Sequence, residues 1–419
     1  MNVLLKSATV VDSKSEFHNK TVDILIEKGV ISKISKRISN PKNYKELKLD
    51  NLHVSVGWFD SSVSFGEPGY EERETIANGL KTAALSGFTA VALNPNTYPV
   101  IDSNADISFL LAKSAKHSVD VCPVGALTKH SDGASLAELY DMHQAGAVAF
   151  MDYQKPVSNP NLLKIALQYS CSFDGLICSF PQESSISGNG VMNEHITSTK
   201  LGLKGNPAMA EELQVARDLF ILEYTGGRLH IPTISTAKSV DLIRKAKSQK
   251  LNVSCSVAIH NLLLTDDVLD GFDTKYKVLP PLRRSADCEA LKEGLQDGTI
   301  DMVTSDHNPL DIEHKKVEFD FALNGTIGLE SAFGALHNAF TLKKTINLLT
   351  QGRSIFGLST YNISEGETAN LTLFDPTPNY VFNDQHILSK SKNSIFKEYD
   401  LKGRVYGTIS NNQLSINHE

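Results

Sequence analysis

The chain is expected to fold as an α/β protein, a (β/α)8 barrel with a small β-sandwich domain formed by its two ends. Three observations carry this expectation. Short apolar runs alternate with longer amphipathic stretches eight times between residues 52 and 306. Several of the amphipathic stretches end in glycine, the residue that best closes a helix in the left-handed conformation. Before and after this region the texture changes to alternating, Val- and Ile-rich segments typical of half-buried strands.

In chain order, residues 2–10 and 22–35 read as strands, with the glycine of GVISKIS suited to a hairpin turn. The eight apolar runs are HVSVGWFD, FTAVALN, VDVCPVGAL, AVAFMD, GLICSF, RLHIPTIS, NVSCSVAI and IDMVTSD. Helical patterns between them include TIANGLKTAALSG, SLAELYDMHQAG, AEELQVARDLFILEYTGG, KSVDLIRKAKSQK and ADCEALKEGLQDG. Strict strand–helix alternation builds parallel sheets. A doubly wound open sheet alternates too, and eight repeats favour the closed barrel over it. After about residue 350, TANLTLFDP and LKGRVYGTISNNQLSIN are strand-like again. The expected division is therefore 1–54 and 349–419 for the small β-domain and 55–348 for the barrel. The Asn- and Ser-rich patches at 38–44 and 389–394 read as surface loops.

Composition removes several function classes. With 419 residues, 41% hydrophobic and 21% charged, the chain is ordinarily globular and long enough for one large domain and a smaller one. A net charge of −7 argues against a nucleic-acid surface, which needs a basic stripe. No apolar run approaches the ~18 residues of a membrane span. The N-terminal residues lack the apolar core and cleavage site of a signal peptide. Five cysteines, odd in number and without CxxC spacing, read as reduced thiols of a cytoplasmic protein.

In a barrel of this kind the chemistry sits at the C-terminal ends of the strands, so those residues are the ones to read. The first run continues as GWFDSSVSFGEPG at 57–69. The fourth ends in Phe150-Met151-Asp152-Tyr153-Gln154, and the fifth in Phe180-Pro181-Gln182-Glu183. The sixth ends in His230-Ile231-Pro232-Thr233-Ile234-Ser235-Thr236, and the eighth in Ser305-Asp306-His307-Asn308-Pro309-Leu310. With EPGYEERETI, GALTK, KLGLKGNPAMAEELQVARD, TGGRLHI, PPLR, EALKEGLQDGTIDM and IGLE, these segments resemble the dihydroorotases, cyclic amidohydrolases of pyrimidine synthesis.

The resemblance covers nearly the whole chain and implies a two-zinc cage of histidines and aspartates. There the metals generate hydroxide and polarise the ring amide, and an aspartate after the last strand shuttles the proton. Carried over position by position, the family's Asp-x-His-x-His-x-Arg-x-Pro-Gly places Ser62 and Ser64 where the histidines stand, and Gly66 where the arginine stands. The bridging aspartate falls on Tyr153, the histidine after strand five on Phe180, and that after strand six on Thr233. Only Asp306 of the six ligand positions keeps its family residue, as a vestigial proton-transfer position. Among substrate positions Asn96 is retained, while the asparagine of Asn-Pro-Pro-Leu-Arg is Leu279 and the last histidine is Leu310. Hydroxyls and rings are poor zinc ligands beside imidazole, so no cofactor is expected although the family uses zinc.

His230 and His260 read as core histidines. Lys155, two residues after Tyr153, would face the same side of a continued strand. Tyr153 and Phe180 read as filling the vacated cavity. The resemblance implies a protein of pyrimidine biosynthesis that is catalytically inactive. It is expected to act as a structural or regulatory partner, with aspartate carbamoyltransferase as the candidate, and to form a homodimer. The alternatives are an active dihydroorotase or other cyclic amidohydrolase with an altered or single-metal site, and a sensor that binds a pyrimidine precursor without turnover.

Overall fold

The computed structural model describes residues 1–417. Eight parallel strands lie side by side in sequence order, from Trp58–Val63 through Phe88–Leu93, Asp120–Gly125, Ala149–Phe150, Leu176–Cys178, Arg228–Ile231 and Val253–Ala258 to Met302–Thr304. The last strand returns to the first: Ser305 N donates to Asp60 Oδ2 at 2.9 Å, and Val63 bridges His307 in parallel. This is the expected barrel. All six residues of the first two strands are buried, as strands covered on both faces should be.

Helices follow the strands as the sequence pattern requires. Thr75 caps Ile76–Leu85 by accepting from Asn78 N, and Thr236 caps Ala237–Ser248 by accepting from Ser239 N. Gly146 and Gly298 close Leu139–Ala145 and Ser285–Asp297 in the left-handed conformation. The longer helices turn apolar faces onto one continuous core that includes Leu80, Leu163, Leu219, Ile243 and Leu291.

The two chain ends form a separate sheet. Its order is Gln413–Ile416, Asp400–Ser410, Leu371–Val381, His53–Val56, Asn2–Val10, Thr21–Glu27 and Val30–Ser35, with Lys45–Leu47 beside Asn2–Val10. It has its own core around Val3, Leu5, Ile24, Val54, Leu371 and Ile409.

Two details differ from the expectation. The run HVSVGWFD is two strands: His53–Val56 belongs to the terminal sheet and Trp58–Val63 to the barrel. Gly57 is the hinge, and any Cβ there would lie 2.1 Å from both Thr89 Oγ1 and Asn370 Oδ1. The segment 389–394 is not a simple surface loop. Ser389, Ser391 and Ser394 are buried, and Ser391 Oγ donates to the Arg73 carbonyl at 2.8 Å. Among the described residues no helix is long and apolar enough to cross a membrane.

Candidate active site

The C-terminal ends of the strands bring most of the singled-out residues into one buried polar group. Ser62 Oγ donates to Asp306 Oδ1 at 2.9 Å, and Tyr153 Oη donates to the same oxygen at 3.1 Å. Asn94 Nδ2 donates to both Ser62 Oγ and Ser64 Oγ at 3.1 Å, and Ser64 hydrogen-bonds Tyr153 in turn. The result is a closed ring of hydrogen bonds spanning strands one, two, four and eight. All five members are at most 8% exposed.

The backbone aims these groups. Asp306 sits at φ 46°, a left-handed conformation that turns its carboxyl inward just past strand eight. Its N–H donates to Thr304 Oγ1 at 3.0 Å. Asp60, one turn of the pleat before Ser62, accepts from Ser62 N at 3.1 Å, from Ser305 N and from the Thr304 hydroxyl. It thereby fixes strand one against strand eight.

Among the described residues no Lys or Arg pairs with either carboxylate. Burial therefore dominates, and it pushes the Asp306 carboxyl up to about 7 against the opposing pull of the Ser62 and Tyr153 donors. Burial likewise raises Asp60. The Tyr153 phenol is held well above its usual range by burial and by the facing Asp306. Near neutral pH the Ser62 and Tyr153 hydroxyls thus both point their protons at the Asp306 carboxyl.

The other positions lie apart from the ring. Phe180 (3% exposed) and Thr233 (4% exposed) are buried at the ends of strands five and six, and neither joins it. Asn96 is half-buried, its Oδ1 without a partner. Gln154, after Tyr153, is the exception: its side chain also hydrogen-bonds Asp306, and its Nε2 donates to the Leu279 carbonyl at 3.0 Å. Leu310 is buried.

Gly66 is the position with the least freedom. A Cβ there would lie 1.7 Å from the Tyr70 carbonyl oxygen and 3.0 Å from that of Glu74. Gly66 N in fact donates to Glu74 O at 2.9 Å, and Tyr70 N donates to Gly66 O at 2.8 Å. The loop 66–74 has closed onto the direction in which a side chain would leave.

Lys155 does not face Tyr153's side, as a continued strand would require. The strand ends at Phe150, and exposed Lys155 donates to the Ser131 carbonyl at 3.1 Å. His230 lies between Ser254 Oγ (2.9 Å) and Ser256 Oγ (3.2 Å), and burial lowers it to about 3. His260 is lowered to about 3 by burial as well. His307 Nδ1 accepts from Gly328 N at 3.2 Å. Its ring points at Phe65, not into the hydrogen-bond ring.

Sequence reasoning missed Asn94 and Gln154. Asn94 could have been found as the last residue of the run FTAVALN, at a barrel-strand end. Gln154 carries no such signal, because it sits in a left-handed backbone conformation at φ 52° past the end of the strand.

A closed parallel barrel beside a sheet of both chain ends, with its polar site at the C-terminal strand ends, defines an amidohydrolase-type fold. An L-hydantoinase from Arthrobacter aurescens superposes with a TM-score of 0.81 at 21% identity, covering 98% of this chain and 94% of that one. A D-hydantoinase from a Thermus species matches at 0.81 and 18% identity, over 99% of this chain and 95% of that one. At these identities the likeness is one of fold. A dihydro-orotase-like family model matches residues 53–239. A Pelotomaculum thermopropionicum protein named dihydroorotase is 40% identical over 98% of this chain and 97% of its own. One from Citrifermentans bemidjiense is 38% identical over 99% of each. The chain belongs to the dihydroorotase family.

That membership corrects one expectation. Dihydroorotases and hydantoinases are metal-dependent amidohydrolases, so the expectation of no cofactor does not stand against these relatives. The six positions carried over from the family are a separate matter, and their donor set does not fit a zinc pair. It offers three hydroxyls, a phenol, a phenyl ring and one carboxylate already engaged by Ser62, Tyr153 and Gln154. Among the described residues no group of three or more His, Cys, Asp or Glu side chains is arranged to hold a metal. No chemical step is therefore assigned to a metal at these positions.

Proposed function

We propose that this dihydroorotase-family chain serves pyrimidine biosynthesis without hydrolysing dihydroorotate, as a cytoplasmic structural or regulatory partner of a pathway enzyme, aspartate carbamoyltransferase first. One observation carries the reading: the side chains at the strand ends bond to one another. Hydrolysis of a cyclic amide needs an activated water and a polarised carbonyl. Here Ser62, Tyr153 and Asp306 complete each other's hydrogen bonds, and the Tyr70 carbonyl lies where a substrate-binding side chain at Gly66 would start. Asp306 remains as a vestige of the proton-transfer position and Asn96 as a vestige of the substrate contacts. The barrel and the terminal sheet are complete, as a docking role requires. Buried free thiols at Cys122, Cys178, Cys255 and Cys288 suit a reducing compartment.

The second reading is an active dihydroorotase, or another cyclic amidohydrolase, with an altered or single-metal site. End-to-end identity of 38–40% to proteins named dihydroorotase favours it. The test is dihydroorotate hydrolysis by protein supplied with zinc, with bound metal measured per chain. The proposal expects no turnover above background at any loading, and turnover rising with bound metal overturns it. The partner role is tested by co-sedimentation with the carbamoyltransferase at micromolar concentration, and free sedimentation of both proteins there counts against that partner.

A further inference from the structure

One segment of the terminal sheet carries a charge opposite to that of the chain. Residues 28–48 hold seven Lys and Arg side chains and one carboxylate, Glu46, so the segment is +6 while the rest of the chain is −13. All seven cations are exposed, and among the described residues only Lys42 pairs with a carboxylate, Glu27 at 2.9 Å. Unneutralised charge of one sign raises the local concentration of anions. The segment ends in the short strand Lys45–Leu47. Its alternation sends Leu47 into the core of the sheet and Lys45 to the same side, with Glu46 opposite.

Lys45 borders a cleft of about 230 Å³ between that strand, the helix Ile76–Leu85 and the last strand, Gln413–Ile416. The other lining residues are Lys81 and Leu85 of the helix and Leu414, Ser415 and Ile416 of the strand. Lys81 is exposed and, like Lys45, has no acidic partner among the described residues. The last strand lies at the edge of its sheet. Asn417 N donates to the Tyr406 carbonyl at 2.9 Å, in step with the Thr408–Ser415 pair, so alternation turns the N–H groups of Leu414 and Ile416 outward from that edge. The cleft thus combines two ammoniums, the Ser415 hydroxyl and an edge with outward amides with three apolar side chains. None of these residues belongs to the hydrogen-bonded ring at the barrel strand ends.

We propose that this cleft binds a small phosphomonoester, its phosphoryl group between the Lys45 and Lys81 ammoniums and a flat or apolar body against Leu85, Leu414 and Ile416. A phosphoryl group brings nearly two negative charges at neutral pH and three strong acceptor oxygens, which match two ammoniums and the neutral donors beside them. A carboxylate would bring one charge to two cations. The volume decides against a long polyanion. A space of about 230 Å³ takes one phosphoryl group and a body the size of a single ring, and it falls below the ~300–1,000 Å³ of sites that hold larger ligands. The acidic remainder of the chain likewise repels an extended nucleic acid. A ligand here touches strands of the terminal sheet and the first helix of the barrel together, so its occupancy favours the folded arrangement of the two.

The proposal does not depend on whether the barrel is catalytic. Its test is calorimetric titration of the full chain at low ionic strength with phenyl phosphate, inorganic phosphate and phenol. Phenyl phosphate is expected to bind saturably at one site per chain, about tenfold or more tighter than inorganic phosphate, which lacks the apolar body. Phenol, without the charge, is expected not to saturate. Lys45→Met with Lys81→Met is expected to weaken phenyl phosphate at least ~30-fold, since both charge-assisted contacts go, with an unchanged far-UV spectrum. Lys33→Met with Lys36→Met removes the same charge from elsewhere in the segment and is expected to weaken it less than about threefold. No saturable binding of phenyl phosphate overturns the proposal, as does inorganic phosphate binding as tightly as phenyl phosphate. An equal loss in the two double variants also overturns it, because the segment would then be a diffuse surface for any polyanion and not a built site.

Discussion

Replacing Asp306 with asparagine separates this chain from any relative that uses the same aspartate as a metal ligand. Asp306 is buried, receives Ser62 Oγ and Tyr153 Oη, and has no cation beside it. Its carboxyl lies at about 7 against a usual value of 3.8. The folded state thus holds the proton more tightly than the unfolded chain. The stabilisation from that proton is full below pH 3.8 and is lost as pH rises through about 7. Moving from 3.8 to about 7 amounts to roughly 4 kcal/mol in total. Of this, under 2 kcal/mol is already gone at pH 5, where the unfolded aspartate ionises, which leaves about 2.5 kcal/mol to be lost between pH 5 and pH 8. Asparagine keeps the accepting oxygen and carries no charge. Asp306→Asn should therefore gain about 2.5 kcal/mol on wild type between pH 5 and pH 8, or ~3 °C in Tm for a chain of this length. Urea or thermal unfolding of both proteins at the two pH values reads this directly. Parallel pH profiles would refute the reasoning. So would a variant that loses ground to wild type as pH rises, because it would mean the ionised carboxylate has a native partner.

Three other outcomes follow from the same geometry. Gly66→Ala should cost about 2–4 kcal/mol in denaturant unfolding, because its Cβ meets the Tyr70 carbonyl backbone and not a flexible side chain. Tyr153→Phe removes one donor from the buried Asp306 carboxylate; it should cost about 1–3 kcal/mol at pH 8 and clearly less at pH 4, where the carboxyl is protonated. Ser62→His with Ser64→His should restore no dihydroorotate hydrolysis in the presence of zinc, since Tyr153, Phe180 and Thr233 still replace ligands; substantial turnover would show that the strand-end register is misread.

Much of this architecture was legible in the residues. Each of the eight apolar runs contains a barrel strand, because strands buried on both faces read as continuous apolar segments. The division of the first run at Gly57 was not legible. It depends on Asn370 and Thr89, two residues distant in sequence that crowd the glycine from either side. At the site, the positions of Ser62, Ser64, Tyr153 and Asp306 followed from the family pattern, but their mutual hydrogen bonds did not. A hydroxyl's partner is set by tertiary approach and not by spacing, which is why Asn94 escaped notice although it bonds two of them.

The closed loop at Gly66 also bears on how such a chain can change over generations. A side chain at 66 is tolerated only after the turn through Tyr70 and Glu74 has moved. That turn is tied to the segment 390–391 through Glu74 and the Arg73 carbonyl. An arginine arriving there first would be rejected by the fold before it could help any reaction, and a histidine arriving first at 62 would displace a donor from Asp306. Each of these two single changes is a step down in stability for the fold. The glycine thus acts as a latch on the turn, closed to any side chain at 66 for as long as the Tyr70 carbonyl keeps its place.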